Sequence, residues 1–353
     1  MDRSAEVFEG AFLGAWDEAR GKEFAPFAAA GLEPGRVLEA GRNVFRVWTA
    51  AGARTAYPAG GIRAAEPVVA GDWVALDTAQ TTAVVRGMLG RRSFFSRQAA
   101  GREVREQVLA ANIDFALILL GLDRDYNRKR LDRYLVQARR GGVRPVVVLT
   151  KADLCPDPVG FVARTEYELK GVAVHAISVR SGYGVADLGA WLRPGNSCLL
   201  TGSSGVGKST LVNHLAGEEV ARTGAVRQSD GRGRATTTST RGFLTGGGAW
   251  VFDSPGLREV QLWGSEEDIA DAFDDIARLA RGCRYGDCGH RGEPGCAVRA
   301  ALERGEVSAE RLLNYGKLRQ ELGATRESVQ RARKKRSRAI ALLVRNHRKV
   351  SRE

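Results

Sequence analysis

Residues 202–210 read Gly-Ser-Ser-Gly-Val-Gly-Lys-Ser-Thr and directly follow the apolar run 197–200. A buried strand that ends in G-x-x-x-x-G-K-[ST] must turn tightly and open a helix, here continued by residues 211–215. The glycines let the backbone N–H groups of Gly202, Ser203, Ser204, Gly205, Val206 and Gly207 turn inward around phosphate oxygens. Lys208 is placed to reach the outer phosphates and the Ser209 hydroxyl to ligate Mg²⁺, with Thr210 beside it in the first helical turn. The plain alternative in a chain with 43 glycines is a ligand-free turn. A strand before and a helix after argue against it.

The surrounding sequence predicts a sheet to carry this loop. Residues 113–120, 145–149, 172–177, 197–200 and 250–252 are mostly apolar runs. Residues 130–140 between them read as a helix, with Leu131, Leu135 and Ala138 on one side. Such alternation predicts a mostly parallel sheet with helices on both faces.

Two further motifs sit at predicted strand ends. Asp253-Ser254-Pro255-Gly256 closes the run 250–252, 51 residues after Gly202. There the carboxylate can hold Mg²⁺ through water and the Gly256 N–H can meet a γ-phosphate, although D-x-P-G alone is also a good turn. Thr150-Lys151-Ala152-Asp153 closes the run 145–149. Asp153 can accept the N1–H and N2–H₂ pair of guanine, which adenine does not offer, and the Lys151 stem can lie over the base. By itself Asp153 also reads as a helix N-cap. The loop starting at Ser178, after the next strand, can close the base pocket with backbone groups. Ordinary small GTPases carry the base motif after D-x-x-G; here it precedes the phosphate loop, and none follows Asp253. The parts are complete but rotated, as in a circularly permuted GTPase domain.

On either side the composition changes. Residues 1–34 read as a short amphipathic helix through Phe8, Phe12 and Trp16, broken at Gly31 and Pro34. Residues 35–92 carry short alternating runs separated by glycines, which fit an oligonucleotide-binding barrel and an SH3-like barrel equally. Arg36, Arg42, Arg46 and Arg54, with Trp48 and Tyr57, fit a basic and aromatic barrel surface. From residue 266 the sequence turns helical around Cys283-x4-Cys288-x-His290-x5-Cys296. Three thiolates and an imidazole complete a closed, structural Zn²⁺ shell; three buried cysteines and a surface histidine are the plain alternative. Cys155 and Cys198 read as inert core residues. The expected domains are thus 1–34, 35–104, 105–265 and 266–353.

Charge and composition narrow the function classes. The chain has 54 Lys+Arg against 41 Asp+Glu, net +13; residues 311–353 hold 14 basic and 3 acidic residues, +11 of that total. Such a block reads as a polyanion-binding surface or as a solvated helix face. At 43% hydrophobic and 27% charged the composition is that of a globular protein. No apolar run reaches the roughly 18 residues of a membrane span, and Met1-Asp2-Arg3-Ser4-Ala5-Glu6 opens no signal peptide. A cytoplasmic protein without membrane attachment is expected, and nothing demands more than a monomer.

Together these motifs resemble the small-ribosomal-subunit-dependent, circularly permuted GTPases of the RsgA (YjeQ, EngC) family. Further residues carry the likeness: Val69-Ala70-Gly71-Asp72-Trp73-Val74, Ala111-Asn112-Ile113-Asp114, Leu131-Asp132-Arg133-Tyr134-Leu135, Leu257-Arg258-Glu259 and Glu293-Pro294-Gly295-Cys296-Ala297-Val298. The resemblance implies an N-terminal oligonucleotide-binding barrel, a permuted P-loop GTPase domain and a C-terminal helical zinc domain. It implies binding of GTP and GDP with Mg²⁺, and of the 30S subunit and its 16S rRNA. It also implies a part in late subunit maturation, with hydrolysis stimulated by the subunit.

Two departures stand out. Thr150 replaces the family's usual Asn, keeping a hydroxyl and losing the amide. Ala235 replaces the switch-loop histidine in Gly233-Arg234-Ala235-Thr236-Thr237, and Leu257 stands where Ras orients water with glutamine. Thr237 is the expected switch threonine, with Thr236 and Thr238 as neighbours. The departures motivate an alternative: a GTP-binding rRNA chaperone or checkpoint with vestigial hydrolysis. A P-loop ATPase, with Asp153 incidental, is a third reading.

Overall fold

The computed structural model describes residues 15–60, 67–80, 82–99, 105–123, 125–169, 171–217, 239–256 and 261–350, without the side chains of 332, 333 and 335–350. The chain forms two compact units, Met1–Ser96 with Val108–Glu259 and Arg97–Gln107 with Val260–Glu353.

The first unit begins with α1 (Glu18–Ala29), capped by Asp17, whose carboxylate accepts the Arg20 N–H at 2.9 Å. Trp16, Phe24 and Phe27 pack with Trp73, Ala75 and Leu89. Phe8 and Phe12 lie outside the described residues. The helix gives way at Gly31, where φ is +75°. Pro34, expected in that break, instead belongs to β1 (Glu33–Ala40). It is the second residue of the strand, where a missing N–H is tolerated.

Four more strands follow: β2 (Phe45–Thr49), β3 (Gly52–Pro58), β4 (Trp73–Asp77) and β5 (Ala83–Met88). Their order is β1-β2-β3-β5-β4, and β4 pairs back onto β1. Closure makes a five-stranded barrel of the oligonucleotide-binding kind. Alternate residues fill it: Val37, Phe45, Val47, Ala56, Val74, Leu76, Ala83 and Val85.

After a ribbon of β6 (Phe94–Gln98) and β7 (Glu106–Ala111), the chain alternates strand and helix. In order come β8 (Phe115–Gly121), α2 (Arg128–Arg140), β9 (Arg144–Thr150), α3 (Pro158–Leu169), β10 (Ala173–Ala176), β11 (Ser197–Gly202), α4 (Lys208–Ala216), β12 (Arg241–Leu244) and β13 (Trp250–Asp253). The strands lie in the order β10-β9-β8-β11-β13-β12. All pairs are parallel except β12–β13. Every residue of β8, β11 and β13 is buried, so both faces of the sheet are covered.

The barrel and this sheet join where Glu39 of β1 pairs with Arg241 of β12. Beside that seam lies Arg36, which is buried, not part of a nucleic-acid surface. Its guanidinium donates to Asn112 O at 2.9 Å and Ser197 Oγ at 2.7 Å. It also lies 5.1–5.2 Å from the ring centroids of Trp73, Trp250 and Phe252. Burial pulls its pKa down to about 9, which leaves the cation charged at neutral pH.

The second unit holds α5 (Glu266–Ala272), α6 (Asp274–Ala280), α7 (Ala297–Glu303) and α8 (Ala309–Val350). A reciprocal capping box between Ser265 and Asp268 starts α5. Buried Tyr315, Leu318 and Leu322 recur at helical spacing on α8, and the Tyr315 ring lies 5.5 Å from that of Phe273. Among the described residues no helix is long and apolar enough to cross a membrane.

Candidate nucleotide site and metal centre

The predicted motifs converge at the carboxyl ends of neighbouring parallel strands, where open α/β sheets bind ligands. Lys151 follows β9, Ser178 follows β10, Gly202 ends β11 and Asp253 ends β13. Rotating the motifs along the sequence leaves their spatial order intact, because the sheet, not the chain, sets it.

The phosphate loop turns from β11 into α4. Gly207 caps the helix at φ +96°, a conformation that a side chain would strain, and its carbonyl accepts the Leu211 N–H at 3.0 Å. Lys208 and Asp253 are both buried. Burial lowers the Lys208 pKa, against the pull of Asp253. Burial lifts the Asp253 carboxyl to about 6, against Lys208 and Arg241. Asp253 Oδ1 is buried with no hydrogen-bond partner among the described residues. A carboxylate oxygen left over in this way fits a site completed by a hydrated cation. Ser209 and Thr210 lie in the first turn of α4. Gly256 comes close to the loop: a Cβ there would stand 3.4 Å from Ser204 Cα and 3.6 Å from Lys208 Nζ.

The base motif is tied to the same loop. Thr150 is buried, and its hydroxyl donates to the Val206 carbonyl at 2.6 Å. The hydroxyl retained in place of the family's amide therefore links base motif to phosphate loop. Ala152 N–H donates to Ile177 O at 3.0 Å, which links the two base-side loops, and Ser178 N–H donates to Tyr183 O at 2.9 Å, which closes the second loop on itself. Asp153 is exposed beside them.

Sequence reasoning missed two residues in the turn after β8. Asp123 accepts from Lys151 Nζ at 2.6 Å. Asp125 accepts from the Ser203 hydroxyl, and also from Arg130 Nη1 at 2.8 Å. The available signal was a pair of aspartates two apart at the end of an apolar run. Ala235, Thr236, Thr237, Thr238 and Leu257 lie outside the described residues.

In the second unit Cys283, Cys288, His290 and Cys296 converge, with their ligand atoms all within 4.8 Å of one another. Cys283 Sγ lies 3.9 Å from Cys296 Sγ and 3.7 Å from His290 Nδ1, and Cys296 Sγ lies 3.5 Å from that nitrogen. Zn–S bonds of about 2.3 Å and Zn–N of about 2.0 Å give tetrahedral edges of about 3.5–3.8 Å, so the donor set fits zinc. Glu293 braces the loop by accepting N–H groups from Gly289, Arg291 and Gly292 at 2.7–2.9 Å. Of the other cysteines, Cys198 is buried as expected, while Cys155 is only half-buried. His175 accepts from Trp191 Nε1 at 3.0 Å, and His214 is exposed.

The profile of the RsgA GTPase family matches residues 88–263. Small ribosomal subunit biogenesis GTPase RsgA of Opitutus terrae is 42% identical over 323 residues, covering 87% of this chain and 88% of that protein. Its namesake from Streptomyces avermitilis is 43% identical over 314 residues, covering 87% and 84%. Among solved structures, YjeQ from Thermotoga maritima superposes with a TM-score of 0.63 at 24% identity, covering 82% of this chain and 98% of that one. YloQ, a circularly permuted GTPase, gives a TM-score of 0.58 at 20% identity over 83% and 96%. These two structural likenesses bear on the fold.

Proposed function

The chain belongs to the RsgA GTPase family, and on that premise we propose that this GTP-hydrolysing enzyme acts on the 30S ribosomal subunit during late maturation, binding its 16S rRNA and turning over GTP faster on the subunit. The observation that carries the reading is the bond from the Thr150 hydroxyl to the Val206 carbonyl at 2.6 Å. It joins the proposed guanine motif to the phosphate loop that follows it in sequence, which supports reading the permuted parts as one site.

In this reading Gly202 to Thr210 enclose the phosphates, with Lys208 as their buried counter-charge. Thr150, Lys151, Ala152, Asp153 and Ser178 form the guanine pocket. Ser209 and Asp253 would hold Mg²⁺, which neutralises charge on the phosphates when bound. Gly256 and Thr237 would meet the γ-phosphate. Cys283, Cys288, His290 and Cys296 would hold one structural Zn²⁺. The proposed domains are 1–34, 35–104, 105–265 and 266–353, in a cytoplasmic monomer.

The test is GTP turnover by the purified protein with and without 30S subunits, with ATP as control. Stimulation specific to GTP is expected. Tight GTP binding without stimulation would favour the checkpoint reading motivated by Ala235 and Leu257, and a gain in rate from Ala235→His would then identify the missing group.

A further inference from the structure

We propose that Asp123 and Asp125 are positioning residues that couple the base-reading end of the nucleotide site to its phosphate end. The proposal rests on the GTPase reading of that site and deepens it. Strand β8 lies between β9 and β11, so the turn at its carboxyl end falls between the base motif and the phosphate loop. One aspartate faces each way. Asp123 holds the Lys151 ammonium at 2.6 Å, and Asp125 accepts from the hydroxyl of Ser203 in the phosphate loop.

The turn is itself fixed. The Asp125 N–H donates to Asp123 Oδ1 at 3.0 Å, and the Leu122 N–H to the Thr150 carbonyl at 2.8 Å. Gly121 leaves the room: a Cβ there would stand 2.5 Å from Asp123 Oδ1. Lys151 sits at φ +59°, a backbone state that a lysine seldom adopts unaided, so the ion pair helps to keep its stem on one course. The second oxygen of Asp125 is engaged by Arg130, which offsets a negative charge beside a loop built for phosphate. Moving Asp123 therefore releases Lys151 and, through the Asp125 N–H, disturbs the support of Ser203.

The experiment uses the full chain with Mg²⁺ and fluorescent GTP and GDP analogues, followed by steady-state GTP turnover. The variants are Asp123→Asn, Asp125→Asn, the double substitution and Gly121→Ala. Lys151 and Asp123 are both partly exposed, so their pair has a modest effect: Asp123→Asn should weaken GTP and GDP alike by about three- to fivefold. KM should rise by the same factor while kcat stays within about twofold. Gly121→Ala keeps the carboxylate but crowds it, and should move KM the same way. The double variant should lose less than the product of the single losses, the signature of coupled residues. A general loss of folding would lower kcat and the melting temperature instead, and Gly121→Ala carries the test if Asp125→Asn does not fold. Wild-type affinities in Asp123→Asn and Gly121→Ala, or strict additivity in the double variant, would overturn the proposal. A wild-type chain with no preference for guanine over adenine nucleotides would overturn the GTPase reading itself.

Discussion

Asp253 and Lys208 are buried together at the end of β13 and the start of α4, and burial disfavours the charge on each. The Asp253 carboxyl titrates near 6 instead of its ordinary 3.8. A pKa raised in the folded state means that the ligand-free chain loses stability as pH rises through that window, because the buried carboxylate must then carry charge. If Asp253 holds Mg²⁺ with GTP as proposed, that binding needs the same carboxylate ionised, so affinity changes in the opposite sense. Mg²⁺-dependent GTP binding should therefore weaken as pH falls below about 6, while Asp253→Asn should bind weakly at all pH values and show no such step. Titration calorimetry from pH 5 to pH 8 checks both; a wild-type affinity that is flat across pH 6 would remove Asp253 from the metal's surroundings.

At the level of elements, the barrel and the parallel sheet share one asparagine. Asn112 lies between β7 and β8 at φ +55°, a left-handed state that Asn tolerates better than most residues. Its side chain accepts from Arg20 Nη2 at 2.6 Å and from the Arg92 N–H at 3.1 Å, and donates to Gly71 O at 3.0 Å. Its carbonyl takes the Arg36 guanidinium. Asn112→Ala strands these buried partners and strains the backbone, at a cost of about 3 kcal/mol, or a melting temperature lower by roughly 6–12 °C. Asn112→Gly should lose less, since only the hydrogen bonds go. Equal melting of all three proteins would show that the cluster carries no weight. None of this was readable in the sequence, and the reason is physical. Its partners lie 20–92 positions away, and such pairings leave no periodic trace. Arg36 fell on the strand face turned away from the barrel core and so looked solvent-facing; β1 instead is buried on both faces for four successive residues. The motif residues could be picked out because the chemistries proposed for them, phosphate, guanine and zinc binding, impose residue types at fixed local spacing. Asp123 and Asp125 act on other residues of the site, an arrangement with no such spacing.

On the scale of the whole molecule, charge and chemistry occupy different parts of the chain. The nucleotide motifs lie between residues 150 and 256, in the first compact unit. Eleven of the thirteen net positive charges lie in residues 311–353, in the second. Within α8 the buried positions are Asn314, Tyr315, Leu318 and Leu322, and no described side chain beyond Leu322 is buried. A strongly basic segment suits a polyanion, and phosphate contacts release counterions. If rRNA is that polyanion, affinity for the 30S subunit should fall linearly in log–log form with salt. Six or more phosphate contacts correspond to a loss of about 10³ or more between 50 and 200 mM. Replacing the basic residues of the run 331–338 by glutamine should flatten that slope, while GTP affinity without the subunit stays as in the wild type. Sedimentation of the protein with 30S particles across a salt series measures the slope directly. A salt-independent affinity would exclude rRNA phosphates as the main docking partner and leave the protein surfaces of the subunit to account for binding.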